Sequence, residues 1–348
     1  MKDFYDVVIV GGGPAGLRAA EILKNSRLKV LLLEKNEEIG PKICAAGITR
    51  KSLELMDIPD EVFERKISKS ALKSASAVHL GDLPEPVVFM VDRKTFGQWQ
   101  LSKIKNADNI TVKTNAKVTA ISDKTVEING KQKIGYQYLI GADGANSKVR
   151  KFLNLPVRKV LASLQYKVPL EANPHIEPDR IQIIMISKYF HNGYAWVFPH
   201  EKHVDIGCAA DPKLYPIKKL KAGFNQWLKK NHYDVSQGRY ESFPISYDYR
   251  GHHFGNIFLA GEAAGLASGL TGEGIYQALA SGQEVAKKIL NPNYEYTLFP
   301  KILRYNKIQN RALLFLKYLG PLRETFFNFL VKVIIKRDKK NTLSEKFS

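Results

Sequence analysis

The sequence predicts a mixed α/β fold. A Rossmann-like nucleotide-binding domain, built as a three-layer ββα sandwich, is interrupted by an antiparallel-sheet domain and followed by a helical tail. Three observations predict it. A glycine-rich turn at residues 11–16 follows a short apolar run. Residues 160–247 are mostly strand-like, with one helical stretch. A further apolar run at residues 257–260 precedes a second glycine-rich segment, which indicates a return to the first domain.

The N-terminal segment has the order of a βαβ unit. Residues 5–10 form a β-branched apolar run typical of a buried parallel strand. The glycine-rich turn comes next, and residues 17–23 then have the composition of a helix. Residues 29–33 give a second strand that ends at Glu34. This order predicts a dinucleotide site at the turn between the first strand and the helix.

Each glycine of the turn has a role in that interpretation. Gly11 permits the tight turn, Gly13 lets the backbone approach a pyrophosphate, and Gly16 lets the helix pack closely on the strand. The N-terminus of the helix faces the phosphate charge. Glu34 lies 18 residues after Gly16, about where a carboxylate binds a ribose hydroxyl. An ordinary glycine-rich turn is the competing interpretation.

The remaining elements define the domain boundaries. Strands are expected at residues 77–80, 87–91, 111–128 (a meander with a hairpin signal at 129–130), 136–140, 180–186 and 204–208, and helices at 93–104, 218–230 and 274–290. Residues 1–70, 93–158 and 250–298 are therefore assigned to the nucleotide-binding domain, 71–92 and 159–249 to the antiparallel-sheet domain, and 299–348 to a helical segment that is basic and apolar.

Composition narrows the class of protein. Hydrophobic content of 44% is ordinary for a globular chain. Two cysteines, Cys44 and Cys208, cannot form a disulfide framework and favour a reducing compartment. No secretory signal is evident, and no stretch of 18 uninterrupted apolar residues occurs. We therefore expect a cytoplasmic location and no spanning helix.

The net charge of +19 is concentrated at the C-terminus, where residues 301–348 hold 12 Lys/Arg and 3 Asp/Glu. Apolar runs at residues 313–316 and 326–335 lie among these charges. One interpretation is a helix on an anionic membrane surface, which would make the protein peripheral to the membrane. The other is a helical cap packed on the domain, and the two are compatible. No nucleic-acid partner is expected, because no recognised module accompanies the charge.

Five segments carry a resemblance to a known family. Residues 141–150 contain an Asp-Gly motif, and residues 261–275 resemble a second FAD motif. Residues 194–199 have the pattern Tyr-x-Trp-x-Phe-Pro, residues 41–48 contain a cysteine, and residues 91–96 contain an arginine. In their order along the chain, the segments resemble the geranylgeranyl reductase family of FAD-dependent oxidoreductases, within the p-hydroxybenzoate hydroxylase-like flavoproteins. The resemblance extends over residues 5–290.

The resemblance implies that the dinucleotide is FAD and that distant segments hold it. Asp143 has a second interpretation, as the cap of a helix that begins near Ser147. Together with the glycine turn, the implied cofactor-binding residues are Gly11, Gly13, Pro14, Ala15, Gly16, Glu34, Lys35, Cys44, Ala45, Gly47, Arg93, Val118, Asp143, Gly144, Gly261, Glu262, Gly272, Gly274 and Ile275.

Two features bear on the reaction. Tyr194, Trp196 and Phe198 alternate along a predicted strand and so project to one face. The resemblance implies that this face lines a substrate cavity over the flavin, whereas plain core packing is the alternative. Cys44 is the candidate catalytic residue, which the resemblance places beside the flavin ring; the alternative is a small buried residue without a catalytic role.

The resemblance implies reduction of isolated C=C bonds in a prenyl lipid by hydride from reduced flavin. An FAD-dependent monooxygenase or epoxidase is the alternative, although Gly265 stands where hydroxylases often carry His. A non-catalytic FAD-binding or electron-relay protein is the second alternative. Only one G-x-G-x-x-G is present, so NAD(P)H or a small electron carrier, such as an electron-donor protein, is expected as reductant. The histidines show no metal-ligand spacing, and no dedicated acid stands out.

The chain departs from the family pattern at four positions. Glu262 replaces the usual Asp, His191 and Gly269 replace prolines, and Gly97 replaces a frequent Asp. The longer carboxylate at Glu262 must shift its contact with the ribityl chain or make it through water. FAD binding is expected to survive these changes, while the substrate becomes less defined.

Overall fold

The computed structural model describes residues 3–346. In chain order the strands are β1 (Phe4–Val10), β2 (Val30–Leu33), β3 (Gly47–Thr49), β4 (Phe63–Ile67), β5 (Lys69–Lys73), β6 (Val78–Asp82), β7 (Val88–Val91), β8 (Ile110–Lys113), β9 (Val118–Ile121), β10 (Thr125–Ile128), β11 (Gln132–Gly141), β12 (Val160–Pro169), β13 (Arg180–Ile184), β14 (Tyr194–Pro199), β15 (His203–Ala210), β16 (Arg239–Ser246), β17 (His253–Phe254) and β18 (Ile257–Leu259). The helices are α1 (Pro14–Leu23), α2 (Arg50–Leu53), α3 (Arg93–Ser102), α4 (Lys148–Phe152), α5 (Ser187–Phe190), α6 (Ile217–Lys230), α7 (Ile275–Leu290), α8 (Phe299–Tyr318) and α9 (Arg323–Lys346).

An eight-stranded sheet forms the core of the first domain. Its order is β17-β18-β11-β1-β2-β8, and β10 and β9 extend it beside β11. β1 runs parallel to β2 and β11, and β18 returns parallel to β11 from a distant part of the chain. Helices α1 and α7 cover the sheet, and a Cβ added at Gly282 would lie only 2.1 Å from Ala15 O. Glycine at this position therefore permits the close packing of the two helices.

A seven-stranded sheet forms the second domain, with the order β16-β12-β15-β14-β13-β5-β6. All neighbours are antiparallel except β13 and β5. On β14 the side chains of Ala195 and Val197 pack beneath α6, against Phe224 and Trp227. Because side chains alternate along a strand, the intervening residues of β14 face the first domain.

A three-stranded sheet, β3-β7-β4, lies apart from these two sheets. Residues 71–92 were expected in the antiparallel-sheet domain, and β6 with most of β5 does join it. Strand β7 does not pair with this sheet: Phe89 and Val91 pack against Phe96 and Leu279 of the first domain, while Met90 packs against Ile181 of the seven-stranded sheet. Strand β7 therefore contacts both domains.

Helices α8 and α9 come after α7, at the C-terminal end of the described chain. Phe299 and Ile302 of α8 are buried in the core of the first domain, and Phe327 and Val331 of α9 are buried as well. Within residues 3–346 no helix combines the length and apolar character needed to cross a bilayer. The predicted mixed α/β fold, with parallel and antiparallel sheets and C-terminal helices, is confirmed.

Candidate functional site

The turn between β1 and α1 leaves open space beside its middle glycine. Gly11 has φ +109°, and its N–H donates to Leu33 O at 2.8 Å. A Cβ at Gly16 would lie 2.0 Å from Gly11 O, whereas nothing lies within 4 Å of a Cβ at Gly13. Helix α1 begins at Pro14, so its free N–H groups and dipole favour an anion at this place.

Glu34 lies at the end of β2 with its carboxylate turned to the glycine turn. Oε2 accepts from Gly12 N at 2.8 Å, and Oε1 accepts from Asn36 N at 2.9 Å. The residue is 8% exposed. A carboxylate has about four acceptor positions, so room remains for ribose hydroxyls.

Two predicted residues lie near Glu34. Val118 buries its side chain in the core of the first domain and begins β9, where it pairs with Ile128. Its neighbour Ala116 donates from its N–H to Glu34 O at 2.8 Å, so β9 starts close to Glu34. Lys35 has an exposed side chain.

Three motifs that are far apart in sequence meet at this turn. A Cβ at Gly11 would lie 2.4 Å from Ala142 O, next to the predicted Asp-Gly motif. A Cβ at Gly261 would lie 3.3 Å from Ala15 Cβ, so the second FAD motif, residues 261–275, contacts the start of α1. The sheet order explains the meeting, since β11 and β18 end beside β1 at the carboxyl edge.

Asp143 caps a helix and keeps one oxygen free. Oδ2 accepts from Lys148 N at 2.6 Å and Val149 N at 3.3 Å, as the capping interpretation predicted. Oδ1 is buried without a hydrogen-bond partner. Burial raises the pKa of the Asp143 carboxyl. A Cβ on the adjacent Gly144 would meet nothing within 4 Å, so the free oxygen and the open space lie side by side.

The second FAD motif, residues 261–275, ends at the N-terminus of a long helix. Gly272 has φ +68°, which favours glycine, and Gly274 directly precedes Ile275, the first residue of α7. A Cβ at Gly274 would have one neighbour, at 3.7 Å. Upstream, Glu262 pairs with Lys42, with Nζ 2.5 Å from Oε2. The N–H groups at the start of α7 therefore face an accessible space.

The cysteine-containing segment connects the two domains. Cys44 is a half-buried free thiol whose Sγ accepts from Ala46 N at 3.3 Å. Ala45 packs against the aromatic residues of β14, and Gly47 begins β3. Arg93 begins α3 and is 8% exposed, and its Nε has no hydrogen-bond partner. This segment and Arg93 line one cavity.

The aromatic residues of β14 share one face, as their alternation predicted. Tyr194, Trp196 and Phe198 belong to one apolar cluster with Ala45. The ring of Trp196 lies over Gly207, where a Cβ would come within 2.2 Å of it. Trp196 Nε1 has no hydrogen-bond partner. This face of the sheet is therefore the surface that contacts the cysteine-containing segment.

The face of the seven-stranded sheet that carries Trp196 becomes polar near Phe198, at the end of β14. The register places Phe198 opposite Asp205, and Asp205 opposite Lys167, so the three project together. A cavity of about 510 Å³ separates this polar end from the cysteine-containing segment. Besides Cys44 and Arg93, its lining includes Lys42, Asp92, Lys94, Gln165, Lys167, His200, His203, Asp205, Arg239 and Glu241.

Sequence reasoning missed a buried group of ionisable side chains in this cavity. Nδ1 of His200 lies 2.5 Å from Glu64 Oε2, and Nε2 lies 3.4 Å from Asp205 Oδ2. His203 stacks on His200 with ring centroids 4.1 Å apart and planes at 13°. Parallel rings direct their lone pairs in separate planes, so the two imidazoles do not converge on one metal ion. The group is an ion-pair network, and Glu64 was too distant in sequence to signal it.

The pKa values of the two histidines are shifted in opposite directions. Burial disfavours a charged ring at His200, but hydrogen bonds with Asp205 and Glu64 outweigh it and raise its pKa to about 9. Burial and the nearby charge of His200 lower the pKa of His203 to about 4. At neutral pH the network therefore holds one imidazolium between two carboxylates, with a neutral imidazole stacked on it.

A second cavity, of about 360 Å³, lies between the sheet and the C-terminal helices. Tyr194 belongs to its lining, and the Tyr194 hydroxyl donates to Thr271 O at 2.5 Å. Apart from Asn192, Gly193, Tyr194 and Thr271, its lining is aliphatic and aromatic: Ile183, Met185, Leu270, Ala312, Phe315, Leu316, Phe326, Phe327 and Leu330. The apolar runs in the tail were the sequence signal for this cavity, but their partners could not be read from the sequence.

The residues around the glycine turn fit an extended dinucleotide. The positions of Gly13 and Gly144 open onto space that a side chain would fill. Asp143 Oδ1 and Arg93 Nε are buried polar atoms without protein partners. A diphosphate and hydroxyl groups would satisfy such atoms, and unpaired buried polar atoms are otherwise costly.

Two family profiles match the chain. A profile described as pyridine nucleotide-disulphide oxidoreductase matches residues 5–156. A profile described as FAD binding domain matches residues 92–294, which is more than half of the chain. Between them the two matches include the three glycine-containing motifs that meet at the β1–α1 turn.

Named relatives and a solved structure are similar over most of the chain. The geranylgeranyl diphosphate reductase of Rhodobacter capsulatus is 29% identical, over 81% of this chain and 74% of its own length. The digeranylgeranylglycerophospholipid reductase of Methanocella arvoryzae is 27% identical, over 99% of this chain and 90% of its own length. A geranylgeranyl bacteriochlorophyll reductase-like structure from Thermoplasma acidophilum superposes with a TM-score of 0.81 at 22% identity, over 96% and 92%.

Proposed function

The chain belongs to the FAD-binding domain family and is an FAD-dependent oxidoreductase, and from this premise we propose that it reduces isolated C=C bonds of a prenyl lipid. Two kinds of support combine. Relatives at 27–29% identity carry the names geranylgeranyl diphosphate reductase and digeranylgeranylglycerophospholipid reductase. The site itself places an aromatic, apolar surface against the segment that would hold the flavin ring.

The cofactor would extend from Glu34 to the start of α7. Glu34 would accept from the ribose, and Gly13 with the N-terminus of α1 would accommodate the diphosphate. Arg93 and Asp143 would supply the polar contacts that their free atoms lack within the protein. The segment 44–47 and the turn 272–274 would border the ring, and the N–H groups at the start of α7 would stabilise negative charge there.

When bound and reduced, FAD supplies the hydride for one carbon of the double bond, and a proton is required at the other carbon. The protein's own residues bind, orient and exclude water. Trp196 and Phe198 would hold a prenyl chain against the ring, and the buried face keeps water away. Tyr194 keeps its proton, because burial raises its pKa well above the usual value, so its hydroxyl remains a donor to Thr271.

The observation that carries the proposal is the packing of the Trp196 face on Ala45. A wholly polar surface there would suit a small hydrophilic substrate, whereas this one suits a long apolar chain. Cys44, the neighbour of Ala45, would lie beside the ring and influence redox or proton transfer. NAD(P)H or a small electron carrier would supply the electrons. The substrate resides in membranes, so the proposal includes peripheral attachment of a cytoplasmic protein.

The test is a single-turnover experiment without oxygen. Purified protein with chemically reduced flavin is mixed with digeranylgeranylglycerophospholipid or geranylgeranyl diphosphate, and the product is weighed by mass spectrometry. We expect a gain of two hydrogens for each reduced double bond, and no gain in a matched sample with oxidised flavin. A gain of one oxygen only when air and NADPH are supplied would assign a monooxygenase instead. No mass change under either condition would contradict both.

A further inference from the structure

The C-terminal helices expose a group of large apolar side chains. Ile308, Phe315 and Tyr318 of α8 are seven and three residues apart, so they lie along one stripe, and Leu322 follows in the turn before α9. We call the group the α8–α9 surface: Ile308, Leu314, Phe315, Tyr318, Leu322 and Phe329, each at least half exposed, with Tyr318 reaching 77%. Single exposed apolar residues are ordinary, but a grouped set marks a contact site for a protein or a membrane.

The charges around this surface have one sign. Within residues 299–335 the exposed charged side chains are all basic: Lys301, Arg304, Lys307, Arg311, Lys317 and Lys332. The single acidic residue in that range, Glu324, is half-buried and accepts from Ser187 N at 2.6 Å and Ser187 Oγ at 2.7 Å. An apolar surface with a cationic border is complementary to anionic phospholipid, where each basic residue adds attraction.

The apolar cavity of about 360 Å³ reaches this surface. Phe315 lines the cavity and is 50% exposed, so the cavity meets solvent at this side chain. Phe326 packs edge-on against Phe315, with ring centroids 5.3 Å apart. At its other side the cavity is lined by Tyr194 and Thr271, and the turn that leads to Gly274 begins there. The cavity therefore extends from the α8–α9 surface to Tyr194 and Thr271, next to the turn that is proposed to border the flavin ring.

We propose that the α8–α9 surface docks on an anionic phospholipid bilayer and that the cavity beside Phe315 admits an apolar chain directly from it. The entry of a prenyl chain rests on the proposed function, whereas the docking does not. Leu322 and Phe329 lie on the surface but do not line the cavity, so they test docking alone.

The experiment measures binding of the FAD-loaded full chain to vesicles by co-sedimentation. Vesicles of phosphatidylglycerol mixed with phosphatidylcholine are compared with phosphatidylcholine alone. We expect binding to the anionic vesicles that weakens in high salt. The double variant Leu322→Ser/Phe329→Ser should bind at least about tenfold more weakly, because two large apolar side chains no longer enter the bilayer. Lys317→Glu/Lys332→Glu should remove the preference for anionic vesicles.

Ile217→Ser is the matched control, because Ile217 is 51% exposed beside lysines on α6. It should leave vesicle binding unchanged. Flavin content and circular dichroism check that each variant is folded. Equal vesicle binding by the double variant and the parent would overturn the proposal, as would an absence of binding to anionic vesicles. A dimer in sedimentation velocity that the double variant abolishes, without vesicle binding, would assign the surface to a second copy of the chain.

Turnover separates this proposal from the proposed function. With prenyl substrate dispersed in detergent, the double variant should match the parent, because docking is no longer needed. With substrate embedded in anionic vesicles it should turn over at least about tenfold more slowly. No turnover by either protein, together with intact vesicle binding by the parent, would refute the function and leave the docking in place.

Discussion

Lys42 and Glu262 form an ion pair across 220 residues of sequence, with Nζ and Oε2 2.5 Å apart. The pair joins the cysteine-containing segment to the turn after β18, on two sides of the proposed flavin site. Glu262 stands where the resembling family usually has Asp. Its additional methylene extends the carboxylate towards Lys42, which gives a structural reason for the departure.

Variants of the pair should separate a structural role from a cofactor role. The side chain of Lys42 is 35% exposed, so Lys42→Met should cost less than about 1 kcal/mol of unfolding free energy. It should leave FAD affinity within a few-fold of the parent. Glu262→Gln should weaken FAD binding about tenfold more than Lys42→Met, because it also removes a charged acceptor at the position proposed to contact the ribityl chain. Titration of apoprotein with FAD, followed by flavin fluorescence, measures both. Equal effects would mean that Glu262 acts only through the pair.

Gly13 and Gly16 should respond differently to an added side chain. Nothing lies within 4 Å of a Cβ at Gly13, so Gly13→Val should fold normally and lose FAD. At Gly16 the Cβ would lie 2.0 Å from Gly11 O, so Gly16→Val should destabilise the fold itself. Thermal unfolding and the flavin absorbance of the purified variants measure the two effects. A yellow Gly13→Val protein would refute the diphosphate placement.

The sequence predicted features that depend on local pattern. The glycine turn, the alternation of Tyr194, Trp196 and Phe198, and the helices α6 and α7 all follow from spacing along one segment. It did not predict that β7 pairs within a separate three-stranded sheet, because a short apolar strand fits any sheet until its partners β3 and β4 are known. Nor did it predict the pairing of Glu64 with His200, since contact between residues so far apart arises only from the packed fold.

Two buried tryptophans on opposite faces of the seven-stranded sheet offer a matched test of the substrate face. Trp196 is 6% exposed and faces the first domain, whereas Trp227 is 2% exposed beneath the other face. Replacing either with Ala should cost about 3–5 kcal/mol of unfolding free energy. Trp196→Ala should also keep FAD and lower turnover of a prenyl substrate at least about tenfold, well below the melting temperature. At the same temperature, Trp227→Ala should turn over the prenyl substrate at the rate of the parent. Loss of FAD in Trp196→Ala would mean that the residue is structural.

The pairing of His200 with Glu64 and Asp205 should make stability depend on pH. Hydrogen bonds with the two carboxylates outweigh burial and raise the pKa of His200 from 6.5 to about 9. The folded state therefore binds the proton more tightly than the unfolded state does. This contribution is fully present below pH 6.5 and is lost as pH rises through about 9. The shift corresponds to about 3 kcal/mol at most. His203, which stacks on His200, has its pKa lowered to about 4 and titrates outside this window.

The measurement is urea unfolding at several pH values between 6.5 and 9, compared with His200→Gln. The parent should lose unfolding free energy across this range, and the variant should lose less. Glutamine keeps a donor for one carboxylate, so the variant should fold, although at lower stability near pH 6.5, where the missing charge leaves two carboxylates facing each other. His203→Gln is the control and should retain the slope of the parent. Parallel pH profiles for the parent and His200→Gln would show that His200 is not charged between its two carboxylates.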